Sequence, residues 1–439
     1  MLRTLDWRGQ RLDSAGVLSD IPRAPIGGAD TEAQVSKLIA DVRARGAEAL
    51  IAQSEKFDGV SPSTIAEKPL PAAELEQVLA GGLREAISEA IKRVRAASAA
   101  QVPPERIVDV AAGAEITQRW LPVERAGVYV PGGKAVYPSS VVTNVVAAQA
   151  AGVESLALAS PAQKEFDGHV HPLIRATAAL LGVEEVYAMG GAGAIGALAY
   201  GVAEIGLRPV SVITGPGNRY VAAAKGLLKG TVGIDSEAGP TEIVVLADES
   251  APADLVAADL VSQAEHDELA QAVVVTTSAE LAREIGDRVA ARAEQTTHRE
   301  RVREALTGEQ SAMILVDSLD DAVTVSDLLA PEHLEVMTVD AQDWAKKTRH
   351  AGAVFIGEHT PVSAGDYLAG SNHVLPTGGK ATFQAGLSAM TFLRPQQLVR
   401  YTAEALAAIG PMVETFAEAE DLPAHAEAVR ARRTGREDS

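Results

Sequence analysis

The sequence predicts an α/β protein with two parallel-sheet units in tandem. The chain has 439 residues, which is too long for one ordinary hydrophobic core and favours two or more domains. From about residue 125 onward, apolar runs of four to six residues alternate with longer amphipathic segments. Such runs are typical of parallel strands that helices cover on both faces.

The first series of strands and helices lies between about residues 125 and 214. Each apolar run is followed by a turn and a helical segment. The predicted strands are Gly127–Val130, Ser155–Ala159, Val186–Met189 and Val210–Thr214, and the predicted helices run from Ser139 to Ala151, from near His171 to Leu181, and from a glycine-rich turn to Gly201.

A second series of the same kind begins near residue 242. Its predicted strands are Glu242–Leu246, Ala272–Thr276, Ala312–Val316 and Ala353–Ile356, and its helices are Pro252–Glu265 and Ala279–Gln295. The ends of the chain differ from both series. Residues 1–30 are irregular, helical patterns cover 31–53 and 71–100, the segment after about 384 is mostly helical, and the charged tail 430–439 is expected to be loose.

The composition narrows the class of protein. Asp and Glu total 59 and Lys and Arg total 39, so the formal charge is −20 and we expect no nucleic-acid partner. The sequence has no apolar run long enough to span a membrane and no apolar signal core near its start, so we expect a cytoplasmic protein. It has no cysteine, which excludes disulfides, thiolate metal ligands and thiol-bound intermediates.

Glu332 and His333, which directly follow Pro331, are the best candidates for acid–base chemistry. A carboxylate and an imidazole can both transfer protons near neutral pH when their surroundings tune their pKa values. The chain has only nine histidines, so few other positions could do this work. A solvated turn between a helix and a strand is the alternative that these two residues alone leave open.

Candidate metal ligands lie in three separate segments. Gln263 and His266 are three residues apart on a predicted helix, so their side chains share one face and offer donors suited to zinc. Asp366 follows the last predicted strand, in a loop position where open α/β sheets often bind ligands. Glu420 and His425 are near the C-terminus. A surface pair, a turn aspartate and a solvated tail are the respective alternatives.

Two glycine-rich turns each follow a strand and open a helix. Residues 191–196 match the G-x-G-x-x-G pattern of dinucleotide sites, but no acidic residue stands about 20 positions later to bind a ribose. Residues 215–220 could hold an anion through backbone N–H groups. Neither turn identifies a cofactor by itself.

Seven short motifs occur in one order along the chain. They are Gly127-Val128-Tyr129-Val130-Pro131-Gly132-Gly133, Gly215-Pro216-Gly217-Asn218, Ala238-Gly239-Pro240-Thr241-Glu242, Gln263-Ala264-Glu265-His266, Ala330-Pro331-Glu332-His333-Leu334, Gly365-Asp366-Tyr367 and Asn372-His373-Val374-Leu375-Pro376-Thr377. Together they closely resemble the histidinol dehydrogenase family. The similarity covers about residues 25 to 430, and seven motifs in order are far more specific than any one of them.

The resemblance implies a role for individual residues. The positions of Glu332 and His333 match the family's catalytic acid–base pair. The positions that bind one zinc ion match Gln263, His266, Asp366 and His425, and those that contact NAD match Tyr129, Gly193 and Asn218. The substrate contacts match Thr241, Gln263, His266, His333, Asp366, Glu420 and His425.

Two of these positions depart from the family pattern. Gly193 stands where the family usually has a glutamine that contacts NAD, so this chain has no side chain there for that contact. Thr241 stands where the family often has serine, and threonine keeps the hydroxyl group.

With the resemblance added, the predicted organisation is two incomplete Rossmann-like parallel-sheet domains in tandem, with an arm at each end. The N-terminal arm is 1–24. Residues 25–126 with 238–383 form the first α/β domain, which holds the metal and catalytic residues, and 127–237 form the second, which contacts NAD. Residues 384–439 form a helical dimerisation arm that reaches into the partner's site.

The implied reaction converts L-histidinol, water and two NAD⁺ into L-histidine and two NADH, the last step of histidine biosynthesis. His333 takes the alcohol proton and Glu332 activates water to attack the aldehyde, because a chain without cysteine cannot hold the aldehyde on a thiol. Two alternatives stay open: a superfamily relative that oxidises another small alcohol, and a zinc hydrolase that does not use NAD.

Overall fold

A computed structural model of the chain contains two parallel sheets, as the sequence predicts. It describes residues 2–24, 28–132 and 135–434. Gly133 of the first motif and the last five residues of the charged tail, 435–439, lie outside the described residues.

The strands of the described chain are short, and most are buried. In chain order they are β1 (Arg3–Asp6), β2 (Arg106–Ala111), β3 (Ala114–Pro122), β4 (Arg125–Tyr129), β5 (Ser155–Ser160), β6 (Ala162–Gln163), β7 (His169–Val170), β8 (Glu185–Ala188), β9 (Val212–Thr214), β10 (Gly233–Ile234), β11 (Glu242–Ala247), β12 (Gln271–Thr276), β13 (Ala312–Leu315), β14 (His333–Met337), β15 (Ala353–Ile356) and β16 (Leu393–Tyr401).

The helices cover the two parallel sheets and extend beyond them at both ends of the chain. They are α1 (Ala15–Ser19), α2 (Ala29–Arg45), α3 (Ala47–Phe57), α4 (Ala72–Val78), α5 (Leu83–Ala100), α6 (Pro138–Ala150), α7 (Pro172–Leu180), α8 (Gly191–Tyr200), α9 (Arg219–Leu228), α10 (Ala253–Ala264), α11 (Ala279–Ala293), α12 (Arg299–Thr307), α13 (Leu319–Leu329), α14 (Ala341–Ala345), α15 (Val362–Tyr367), α16 (Ala403–Ala419) and α17 (Pro423–Thr434).

Both large sheets are wholly parallel. The six-stranded sheet has the order β1-β13-β12-β11-β14-β15, and the five-stranded sheet has the order β10-β9-β4-β5-β8. Each has an apolar cluster on either face, rich in Val, Ile, Leu and Ala. The scarcity of aromatic residues is compatible with this packing because small side chains let helices approach the sheets closely.

Two long helical patterns are each divided into two helices. The predicted helix at 31–53 is interrupted at Gly46, which has a φ of +55° and faces the carboxylate of Glu204 where a Cβ atom would stand. The predicted helix at 71–100 is interrupted at Gly81 and Gly82, whose φ values are +69° and +86°. Glycine adopts this left-handed backbone without a steric penalty, so both breaks follow from it.

The described chain divides into two compact units. The larger extends to Gln101 and from Glu124 to Phe392, and the smaller comprises Val102–Val123 and the chain from Leu393 onward. In the smaller unit β16, β3 and β2 form an antiparallel sheet, and α16 packs on α17. The segment after 384 is mostly helical, as predicted, and the strand β16 precedes its helices.

No helix in the described ranges is long and apolar enough to cross a membrane.

Candidate functional site

Glu332 and His333 lie at the amino edge of the six-stranded sheet. The helix α13 ends at Ala330, a residue with φ of +44°, and Pro331 prevents the helix from continuing. His333 then opens β14 and pairs with Ile243, the second residue of β11. Glu332 is 7 % exposed and His333 is 3 % exposed, so the solvated turn that their sequence left open is wrong.

The Glu332 carboxylate is held by two donors from the start of β11. Its Oε2 atom accepts a hydrogen bond from the Thr241 hydroxyl at 2.6 Å and another from the Glu242 backbone N–H at 3.0 Å. Burial raises the pKa of Glu332 to about 8, although both hydrogen bonds favour the charged form. The carboxyl can therefore change its protonation state near neutral pH.

A hydrogen bond from the ring Nδ1 atom fixes His333 in one neutral tautomer. The ring Nδ1 atom is 2.9 Å from the Glu242 carbonyl oxygen, which can only accept, so Nδ1 carries the proton and donates it. Burial lowers the pKa of His333, which favours the neutral ring. Its Nε2 atom then has a free lone pair, and the side chain can act as a base.

Glu242 is a site residue that the sequence did not indicate. It is 2 % exposed, and its side chain accepts hydrogen bonds from the Gly378 N–H at 2.8 Å and the Glu332 N–H at 3.3 Å. Burial, with a smaller effect from the Glu332 charge, raises the pKa of Glu242 to about 7. The first residue of a predicted strand gave no signal of this role, which is to hold the backbone that carries the acid–base pair.

Gln263 and His266 reach the same edge from the end of α10. The amide nitrogen of Gln263 donates to the Thr241 hydroxyl, which itself donates to Glu332. Because these hydrogen bonds use the amide nitrogen of Gln263, the side-chain carbonyl oxygen is the atom of Gln263 that can bind a metal. Burial lowers the pKa of His266, and the nearby charge of Asp366 opposes that shift.

Asp366 lies in the last turn of α15 and not in a loop beyond the carboxyl end of β15. Its charge acts on His266, His333 and His373, so these four side chains form one electrostatic group. His373 is the second residue whose role the sequence analysis missed. Its ring contacts the Asp366 carbonyl oxygen at 3.2 Å and the Ser140 hydroxyl at 3.0 Å, which leaves it close to the group.

The donor chemistry of Gln263, His266 and Asp366 fits a zinc ion. An amide oxygen, an imidazole nitrogen and a carboxylate are all borderline or hard ligands that zinc accepts. Across the described residues, no three His, Asp or Glu side chains are arranged to hold a metal. Glu420 and His425 lie in the smaller unit, where both are exposed.

Two of the three predicted NAD contacts lie at the carboxyl edge of the five-stranded sheet. Tyr129 ends β4 and Asn218 follows the neighbouring strand β9. The Tyr129 hydroxyl accepts a hydrogen bond from the Gly191 N–H at 3.1 Å, at the start of α8. Asn218 is exposed and caps α9, because its Oδ1 atom accepts from the N–H groups of Tyr220 and Val221. Its amide nitrogen stays available to a ligand.

Gly193 is the third predicted NAD contact, and it is buried within α8. A Cβ atom at this position would stand 2.3 Å from the side-chain oxygen of Gln53. The Gln53 side chain is itself buried, and it donates to the Leu38 carbonyl at 3.1 Å. The space beside Gly193 is therefore already filled by an amide from α3.

Comparison with known proteins identifies one family across almost the whole chain. The family model described as histidinol dehydrogenase matches residues 22–433. A histidinol dehydrogenase from Leifsonia xyli is 55 % identical over 434 residues, which are 98 % of this chain and 99 % of that protein. One from Thermobifida fusca is 53 % identical over 435 residues, 98 % of each chain.

A solved structure agrees with these sequence comparisons. The crystal structure of histidinol dehydrogenase from Elizabethkingia anophelis superposes with a TM-score of 0.90 at 32 % identity, and the match covers 99 % of this chain and 98 % of that one.

Proposed function

Since this chain belongs to the histidinol dehydrogenase family, we propose that it oxidises L-histidinol to L-histidine through L-histidinaldehyde, with two NAD⁺ as oxidants. This is the last step of histidine biosynthesis, and a cytoplasmic location suits it. The observation that carries the proposal is the buried pair of Glu332 and His333, one group able to gain or lose a proton and the other a neutral base.

His333 is the base of the first oxidation. Its Nδ1 proton is bound to the Glu242 carbonyl, so Nε2 takes the proton of the substrate alcohol while the carbinol carbon loses hydride to NAD⁺. The ring releases this proton to solvent, and the same nitrogen then takes a second proton when the hydrated aldehyde is oxidised. Because burial keeps the ring neutral, it is ready for each step.

Glu332 activates the water molecule that attacks the aldehyde. Its carboxylate is stabilised by the Thr241 hydroxyl and the Glu242 N–H, and it has to lose its own proton before it can act as a base. The chain has no cysteine, so it cannot hold the aldehyde as a thiohemiacetal. Water is then the only oxygen source for the carboxylic acid product.

Gln263, His266 and Asp366 would hold a zinc ion, with His425 as the fourth ligand. When bound, the ion supplies a template for the imidazole and amine groups of the substrate. Holding a substrate at two points removes an entropic barrier worth up to roughly 7–11 kcal/mol. Further substrate contacts come from Thr241, His333 and Glu420.

NAD is held at the carboxyl edge of the five-stranded sheet by Tyr129 and Asn218. Gly193 contributes backbone only, because it has no side chain and the adjacent space contains Gln53. The net charge of −20 disfavours a dinucleotide in general, so its phosphates depend on backbone N–H groups in the loop before α9, since those of Tyr220 and Val221 already donate to Asn218.

The chain acts as a homodimer in which the smaller unit completes the partner's site. Several large apolar side chains of that unit are exposed, including Ile107, Val399, Met412 and Phe416 at 61 % to 72 % of their full surface. Exposed apolar surface of this kind marks protein contacts, and C₂ dimers are the commonest assemblies. His425 and Glu420 then enter the site of the partner.

The proposal is tested by incubating the protein with zinc, NAD⁺ and a panel of small alcohols while absorbance at 340 nm is recorded. We expect NADH formation with L-histidinol and little with the other alcohols. NADH formed from another alcohol, such as a sulfonated diol, but not from histidinol would indicate a superfamily relative. Consumption of a substrate without NADH would indicate a zinc hydrolase.

A further inference from the structure

We propose that the buried ion pair of Lys225 and Asp235 positions the loop Gly215–Asn218 for NAD, so that both are positioning residues for the cofactor. This inference rests on the proposed function, since it takes NAD as the ligand of that loop. Neither residue belongs to the motifs of the sequence analysis, and neither faces solvent.

Lys225 and Asp235 form the most deeply buried ion pair in the described chain. The exposed fraction of the Lys225 side chain is 2 % and that of Asp235 is 0 %, and their charged atoms are in direct contact. Removing two charges from water destabilises the fold unless other hydrogen bonds compensate for the lost hydration. The partners that supply those hydrogen bonds show what the pair holds.

Both members of the pair bind the same glycine. Lys225 donates from Nζ to the Gly215 carbonyl at 3.0 Å, and Asp235 accepts from the Gly215 N–H at 2.7 Å. The remaining Asp235 oxygen accepts from the Ser236 N–H at 2.7 Å. The pair therefore fixes both polar groups of one residue, Gly215, which is the first residue of the glycine-rich loop.

Gly215 is close to one candidate NAD contact and stands three residues before the other. Its φ is +122°, and a Cβ atom there would stand 1.9 Å from the carbonyl oxygen of Tyr129. The position of Gly215 thus depends on the end of β4. Asn218 follows only three residues later and begins α9, the helix that carries Lys225. One ion pair therefore sets the separation between Tyr129 and Asn218.

The alternative is that the ion pair only stabilises the fold. This alternative makes a different prediction. Breaking a buried pair by removing one partner destabilises a protein because it leaves an unpaired charge, whereas two apolar residues of similar size can replace a pair without loss. A pair that only stabilises the fold can be replaced in this way with no effect on NAD. If the pair positions the loop, the same replacement weakens NAD binding.

The test compares Lys225→Met, the double variant Lys225→Met with Asp235→Leu, and the wild-type protein, all loaded with zinc. NAD binding is measured directly by titration, and KM is measured separately for NAD and for histidinol. We expect the double variant to recover most of the lost thermal stability. We expect the Kd and KM for NAD to rise by about tenfold or more in both, as loss of buried hydrogen bonds implies, with KM for histidinol unchanged.

Arg125→Met is the matched control. Arg125 is also buried and pairs with Glu185 at 2.5 Å, but it lies at the opposite, amino edge of the same sheet. The Arg125→Met variant should be less stable than the wild type, while its affinity for NAD stays at the wild-type value.

Wild-type NAD affinity in the folded double variant would overturn the inference, and so would an equal rise in KM for both substrates. A wild-type protein that binds NAD but does not oxidise histidinol would refute the proposed function alone, because the NAD titrations would still test the loop. A wild-type protein that does not bind NAD would refute both.

Discussion

Glu332 and His333 are adjacent in the sequence, yet burial moves their pKa values in opposite directions. It raises the pKa of the carboxyl to about 8 and lowers that of the imidazole, because it disfavours the charged form of each. A neutral histidine beside a carboxyl with a shifted pKa is the kind of pair that divides acid and base roles. The sequence located this pair, but it assigned no role to Glu242 or His373, although both lie in its motifs, because their roles depend on contacts between distant segments.

The pKa of Glu332 predicts how the second oxidation depends on pH. Water activation needs the ionised carboxylate, so the rate should rise as pH increases through about 8. The Thr241 hydrogen bond lowers this pKa, so Thr241→Val should move the rising limb to higher pH. The measurement is a pH–kcat profile with histidinaldehyde as substrate.

Glu332→Gln is the control for that profile. It should remove the rising limb and lower kcat by about 10²-fold or more. A wild-type limb near pH 4.5, or a Thr241→Val profile that does not move, would contradict this account of Glu332.

At the scale of elements, a buried carboxyl pair joins three parts of the site. Glu335 on β14 is 1 % exposed, its Oε1 atom accepts from the Val362 N–H that opens α15, and the nearby charge of Asp259 on α10 acts on its carboxyl. Two carboxyl groups can share a hydrogen bond only if one of them is protonated. Burial raises the pKa of Glu335 to about 9 and that of Asp259 to about 6. We infer that one proton shared by these carboxyls stabilises the contact between the strand and the helices that carry His333, Gln263 and Asp366.

Stability should therefore decline as pH rises. A carboxyl whose pKa is raised by folding stabilises the fold fully below its unfolded pKa near 4.5 and loses that contribution as pH rises through about 9. Glu335→Gln keeps a hydrogen-bond donor at every pH. We expect it to be more stable than the wild type at pH 9 by about 1–3 kcal/mol, and this difference to vanish or reverse near pH 5. Urea unfolding at both values measures it.

Asp287→Asn gives a matched control, because Asp287 is exposed and its ion pair with Arg283 lies on the surface of α11. It should not change the pH dependence. If Glu335→Gln has the same pH dependence of unfolding as the wild type, the shared proton is not present.

The same pair explains why β14 is missing from the predicted strands. The run His333–Met337 has charged residues at its first and third positions, so it does not look like a buried parallel strand. Only the partner on α10 makes a buried glutamate tolerable. The strands β11, β12, β13 and β15 were predicted within about one residue because each is an uninterrupted apolar run. The strands β2, β3 and β16 escaped prediction because β2 and most of β16 are exposed.

The residues proposed for the site are divided between the two compact units of the chain. Thr241, Gln263, His266 and Asp366 belong to the larger unit, and Glu420 and His425 belong to the smaller. The sequence could list all six through the resemblance. Periodicity and composition could not assign them to subunits, because that depends on assembly.

Mixing two inactive variants tests whether the site is shared between subunits. His333→Asn and His425→Ala should each be inactive as homodimers. If His425 serves the partner's site, each mixed dimer has one intact site, so random exchange of equal amounts should restore about a quarter of the wild-type activity. The measurement is NADH formation after dissociation and reassociation of the two variants.

No recovery in verified mixed dimers would mean that His425 serves its own subunit or no site. Mixing His333→Asn with Glu332→Gln is the control, since both lesions lie in the larger unit. Each mixed dimer then has one altered residue in each of its two sites and should stay inactive.

The central claim is that one acid–base pair serves two successive oxidations without a thiol. The most direct measurement is the number of NADH molecules formed for each L-histidinol consumed, with the product identified by mass. We expect two NADH and one L-histidine, with an oxygen atom from the solvent in the new carboxylate. One NADH for each histidinol, with histidinaldehyde as the final product, would contradict it.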